Sequence, residues 1–137
     1  MKILLAQMTA AKMIALDWHY TASGASFYAE HLLAEKIADS LGDSLRDKII
    51  ETHYLGETRT VPPTSGEIVG EALRIYEGQK ADDPKPVALS SLLAVAAAHA
   101  EELARNGRLS IGTKSLLDEV SQSAYQSIGL IERTVEK

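Results

Sequence analysis

Apolar residues return every three or four positions along most of the chain, with polar residues between them, which is the pattern of helices that bury one face. Leu4, Met8, Ala11, Ala15 and Trp18 place a first helix from about Ile3 to Thr21. Beyond Gly24, the positions Phe27, Leu32, Leu33, Ile37, Leu41, Leu45 and Ile49 carry a second helix to about Tyr54, where Gly56 is expected to stop it. Gly42 lies inside that helix. Between Glu57 and Pro63, the pair Pro62-Pro63 imposes extended backbone and excludes helix just before it. Thr64-Ser-Gly-Glu67 has the spacing of a capping box, so a short helix is expected from about Glu67 to Glu77, ended by Gly78. Gln79 to Pro86 reads as a polar linker. Leu89, Leu92, Ala96, His99 and Leu103 form the stripe of the next helix, which Asn106-Gly107 ends, and Ala96, Ala97 and Ala98 permit close packing. A last helix starts near Thr113 and places Leu117, Val120, Ala124, Ile128, Ile131 and Val135 on its buried side. There is no strand-like alternation, internal repeat or low-complexity tract.

Four long helices with a short one in the middle connection predict an all-α fold, a four-helix bundle in a single domain over residues 1–137. The crossover from the second to the third long helix has about thirty residues, enough to travel the length of a bundle. A chain of 137 residues without cysteine, 45% hydrophobic and 24% charged, is large enough to bury a core without disulfides. Its formal charge of −5 gives no attraction to phosphate backbones, and only Lys2 precedes the first helix, so DNA binding is not expected. The apolar opening Met1 to Ala6 is interrupted by Gln7 and Lys12, and reads as the first structural helix rather than a leader. No segment approaches the roughly 20 apolar residues of a membrane span, so no membrane partner and a cytoplasmic location are expected.

The candidate chemistry lies where the first helix gives way to the second. His19 and His31 flank a break at Ser23-Gly24, with Ser23 the expected N-cap, and Glu35 stands one turn beyond His31 on the same helix face. Two imidazoles and a carboxylate read as part of a metal site. The plainer alternative is a half-buried pair of histidines making structural hydrogen bonds at a dimer contact. No Gly-rich phosphate loop, Cys-x-x-Cys pair or Gly-x-Ser-x-Gly elbow is present, which removes the common nucleotide, zinc and hydrolase readings.

The run of His19, Gly24, Phe27 and His31, followed by Glu35, resembles the Dps family, the DNA-protecting mini-ferritins. The likeness extends to the short helix in the crossover and to Leu116-Leu-Asp-Glu119 at the start of the last helix. The resemblance implies a ferritin-like fold and a ferroxidase centre between two subunits on a two-fold axis, with His31 and Glu35 of one chain facing His19 of the other. It also implies Fe(II) oxidised by peroxide or dioxygen, ferric iron stored in a hollow dodecamer, and protection against peroxide stress. Imidazole and carboxylate ligands with open positions suit iron.

The family follows this segment with an aspartate and a glutamate four residues apart, and this chain offers Asp47 and Glu51, one residue late. Counted without a gap, the positions fall on Arg46 and Ile50. In a regular helix Asp47 would point about 100° away, and a one-residue π-bulge at Gly42 would restore the face. Asp39 and Asp43 are weaker substitutes. Trp18 is either a core anchor or, as the resemblance suggests, a radical quencher. His53 has no evident partner, His99 reads as a hydrogen-bonded core histidine, and Tyr28 and Tyr125 as ordinary packing residues. Two other readings stand beside the mini-ferritin: a ferritin-like structural or interaction protein without ferroxidase activity, and a binder of zinc or manganese without redox turnover.

Overall fold

The first helix, α1 (Lys2–Thr21), ends where the Ala22 N–H closes on the Trp18 carbonyl. The chain then turns through Gly24 at a φ of 88°, a conformation that strains any residue with a Cβ. α2 (Phe27–Asp39) follows, and its N-cap is Ser26 rather than the expected Ser23. The Ser26 hydroxyl donates to Glu30 Oε2 at 2.5 Å. The computed structural model describes residues 1–79 and 82–135.

After Asp39 the helix runs on but widens into a π-helical segment at Ser40–Leu45. It tightens into α3 (Arg46–Ile49) and widens again over Ile50–Thr58. A π segment therefore spans Gly42, where the register of the acids called for one. Gly56 does not stop the helix. Termination comes at Arg59, which adopts the left-handed conformation (φ 53°) while the Thr60 N–H returns to the Tyr54 carbonyl at 3.0 Å.

α4 (Ser65–Glu77) opens with the predicted capping box, starting two residues before Glu67. Thr64 Oγ1 accepts from the Glu67 N–H and Glu67 Oε1 accepts from the Thr64 N–H, each at 3.1 Å. Of the predicted linker Gln79 to Pro86, Lys80 and Ala81 lie outside the described residues, and α5 (Lys85–Asn106) already begins within it. α6 (Ile111–Val135) starts two residues before Thr113. The chain is all-helical, with no strand among the described residues.

α1 packs against α2, α4 and α5, while α6 packs against α5 and α2. A helix touched on three sides needs a wide apolar surface, and α1 buries Leu4, Leu5, Met8, Ile14 and Trp18 around its circumference. Its buried polar groups are matched. The Thr9 hydroxyl donates to the Leu5 carbonyl, and Gln7 Oε1 accepts from His99 Nδ1 at 2.9 Å. His99 is thus hydrogen-bonded as expected but half-buried rather than in the core, and burial, reinforced by the N-terminal charge, lowers its pKa below the usual imidazole value, against the opposing effect of Glu102.

α5 is long and apolar enough, by length and composition, to cross a membrane, which corrects the expectation that no segment reaches that size. Here Ala88, Leu89, Leu92, Leu93, Ala96, Ala97 and Ala100 are buried within the protein. Tyr28 and Tyr125, expected to pack, are exposed instead.

Candidate metal centre

His19 and His31 are 12 positions apart in the chain, too far for contact within one helix, so the turn at Gly24 decides whether they meet. It folds α2 back along the end of α1, and the His19 and His31 rings stack with centroids 3.7 Å apart and planes 21° from parallel. Each ring is tied to the other residue's backbone. His19 Nδ1 lies 2.8 Å from the His31 carbonyl, and His31 Nδ1 lies 2.9 Å from the His19 carbonyl. A carbonyl only accepts, so both Nδ1 atoms carry the proton and each neutral ring keeps its lone pair on Nε2. No buried side-chain nitrogen or oxygen lacks a partner among the described residues, so neither free Nε2 is sealed from solvent.

This is the arrangement in which histidine binds metals: one ring nitrogen donates to a carbonyl and orients the ring, and the other faces the cation. The resemblance implied that His19 would meet His31 of a second chain. That expectation is corrected, because the two rings stack within one chain.

The carboxylates are placed differently. Glu35 is exposed, one turn beyond His31. Asp47 is exposed beside its neighbour Arg46 at 3.4 Å, and Glu51 is exposed at the start of the second π segment. Among the described residues, no group of three or more histidine, aspartate or glutamate side chains converges. Helix geometry gives the reason. A rise of ~1.5 Å per residue puts Asp47 roughly 18 Å along the axis from Glu35. Direction is another matter: a π turn that takes up one surplus residue brings Asp47 from ~120° to within ~20° of Glu35 around the axis. Glu35 and Asp47 then share a face without sharing a site.

Of the weaker substitutes, Asp39 is exposed and Asp43 is engaged by Lys12 Nζ at 2.7 and 2.8 Å. Trp18 is a core anchor, 2% exposed, with its Nε1–H donating to Glu30 Oε1 at 2.9 Å. Aromatic residues rim the histidine pair. Tyr20 meets His19 edge-on at 5.1 Å and Phe27 lies 5.4 Å from His31, while Tyr20 is 75% and Tyr28 71% exposed.

A second cluster escaped the sequence reading. Glu57, at the end of the second π segment, caps the start of α6, whose first turn has no acidic residue. Its carboxylate accepts from the Ser110 N–H at 2.7 Å, the Ser110 hydroxyl at 3.2 Å, the Thr113 hydroxyl at 2.7 Å and His53 Nδ1 at 3.2 Å. These donors, Thr113 foremost, lower the Glu57 pKa from 4.5 to about 2 against the opposing effect of desolvation. His53 therefore has a partner. The signal available in the sequence was its spacing of four residues from Glu57.

Against known proteins, the chain matches no family model, no curated protein and no solved structure.

Proposed function

We propose that this chain is a mini-ferritin of the Dps type, a ferritin-like four-helix bundle that oxidises Fe(II) between subunits and stores the ferric product in a hollow oligomer. The observation that carries the reading is the stacked histidine pair, with both Nδ1–H groups committed to backbone and both Nε2 lone pairs free. Each imidazole, oriented through Nδ1, can offer its Nε2 to a divalent cation of intermediate softness. A third donor has to come from a second chain. Antiparallel pairing of the Phe27–Thr58 helix with its copy about a two-fold axis would bring Asp47 and Glu51 of one subunit toward His19, His31 and Glu35 of the other. The exposed rim of Tyr20, Phe27, Tyr28 and Leu32 is apolar surface that such a contact would cover.

Fe(II) is the substrate in this reading. Imidazole nitrogens hold it, and carboxylate oxygens favour the harder Fe(III) product. With hydrogen peroxide as oxidant, two Fe(II) give up one electron each, the O–O bond breaks, and two protons complete two water molecules. The protein's own part is to orient donors, exclude misplaced metal and confine the oxidant.

Stopped-flow Fe(II) oxidation with peroxide or dioxygen tests the proposal. Rapid turnover by the unaltered protein, abolished by His31→Ala and by Glu51→Ala, is the expected result; turnover indifferent to both changes defeats it. A second reading, a zinc or manganese binder without redox turnover, rests on the same oriented imidazoles, which suit those cations as well. Metal analysis of protein purified without chelator distinguishes that case, and a metal-free monomer leaves only a helical structural or interaction protein.

A further inference from the structure

The π turn between Glu35 and Asp47 is held from outside its own helix. A wide turn of this kind is uncommon, and it settles where neighbouring groups favour it. At Ser40–Leu45 two features do so. A Cβ on Gly42 would stand 2.6 Å from Lys12 Cβ and 3.3 Å from Lys12 Cα, so the turn lies against the backbone of α1 in a way that any side chain would prevent. Next to it, Asp43 takes Lys12 Nζ with both carboxylate oxygens, at 2.7 and 2.8 Å. Arg46, just past the turn, reaches Asp43 Oδ1 and Thr9 Oγ1, each at 3.3 Å. The middle of the turn and the residue just past it are thereby tied to Lys12 and Thr9, neighbouring positions on one face of α1. These side chains are only 22 to 37% exposed, so water screens them less than a free surface pair.

We propose that Lys12 and Gly42 are positioning residues of the metal centre: the Lys12–Asp43–Arg46 cluster, seated on the bare surface of Gly42, fixes the π turn and so sets the direction in which Asp47 points. The inference rests on the reading that Asp47 and Glu51 serve the histidines of a second chain. Lys12 touches no metal and acts through the helix register.

Co(II) titration of the full chain, followed by its visible absorption band, provides the test. Lys12→Met weakens Co(II) binding by about tenfold or more, the scale seen when groups that orient ligands are lost, with far-UV circular dichroism unchanged. Lys12→Arg keeps the charge and the stem that packs on Gly42, and restores binding. Should Lys12→Met fail to fold, Asp43→Asn breaks the same ion pair at constant volume and carries the same expected loss. Deleting the exposed Ser44 removes the surplus residue, leaves a regular α-helix with Asp47 on its present face, and preserves the Co(II) band. In that shortened chain Lys12→Met has no effect on binding.

Three results overturn the proposal while leaving the metal reading intact: Lys12→Met binding like the unaltered protein, a Ser44 deletion that unfolds or loses the band, or a Lys12 effect that persists in the shortened chain. An unaltered protein with no band sensitive to His31→Ala overturns the metal reading, and this inference with it.

Discussion

At the junction of α1 with α2, His19 and His31 each commit one ring nitrogen to backbone and keep the other free. At the junction of the second π segment with α6, Glu57 accepts from four donors and His53 gives its Nδ1 to that same carboxylate. Both clusters bring a histidine to a helix end, and both answer the unpaired backbone groups that helix ends leave. They differ in what remains. The Glu57 carboxylate is taken up by four donors and leaves a single imidazole Nε2, that of His53, whereas the His19–His31 pair brings two such rings together. A polar cluster at a helix junction is a candidate for chemistry when its orientation is settled and its donor capacity is not.

Removing one ring should break this comparison most sharply. His19→Ala or His31→Ala is expected to reduce Zn(II) or Co(II) binding to background, measured by metal content after dialysis, with little change in the thermal midpoint. Retained stoichiometric metal in either variant would mean that the free Nε2 atoms do not bind it.

Glu57→Gln should do the reverse, lowering the thermal midpoint by several degrees and leaving metal content unchanged. Its effect has a direction in pH. The folded pKa lies at about 2, below the unfolded 4.5, so the Glu57 contribution is fully present above pH 4.5 and is lost as pH falls toward 2. Melting curves across that window should show the gap between the unaltered protein and Glu57→Gln closing as acid is added. A gap that stays constant would show that the carboxylate charge is not what α6 requires.

The smallest effect belongs to the anchor beside the histidines. Trp18→Phe keeps the buried ring and removes the N–H that Glu30 accepts, at a cost of about 1 kcal/mol in urea denaturation, with metal binding unchanged. A coincident loss of metal would move Trp18 from the core into the site.

What could be read before folding was local. The capping box of Thr64 and Glu67, the periodic apolar faces and the turn at Gly24 all depend on neighbours within a few residues. The widening of the helix around Gly42 was expected as well, from counting Asp47 and Glu51 against the register of the family that the chain resembles. Gly56 misled because a glycine only permits a helix to end, and here Glu57, bonded to α6, carries the helix past it to Thr58. Ser23 misled because the turn at Gly24 runs on to Ser26, with the Phe27 N–H closing on the Gly24 carbonyl before the helix begins.

Composition and periodicity suffice for an all-helical chain with His19 and His31 at one helix junction, since helix formation and burial of an apolar face are short-range matters. Which lone pairs are free, which acids are ion-paired and where the π turn settles depend on groups far apart in the chain, such as Lys12 with Asp43 and Glu57 with Ser110. Those contacts exist only once the helices have packed, because a hydrogen bond reaches about 3 Å and no sequence pattern carries that distance.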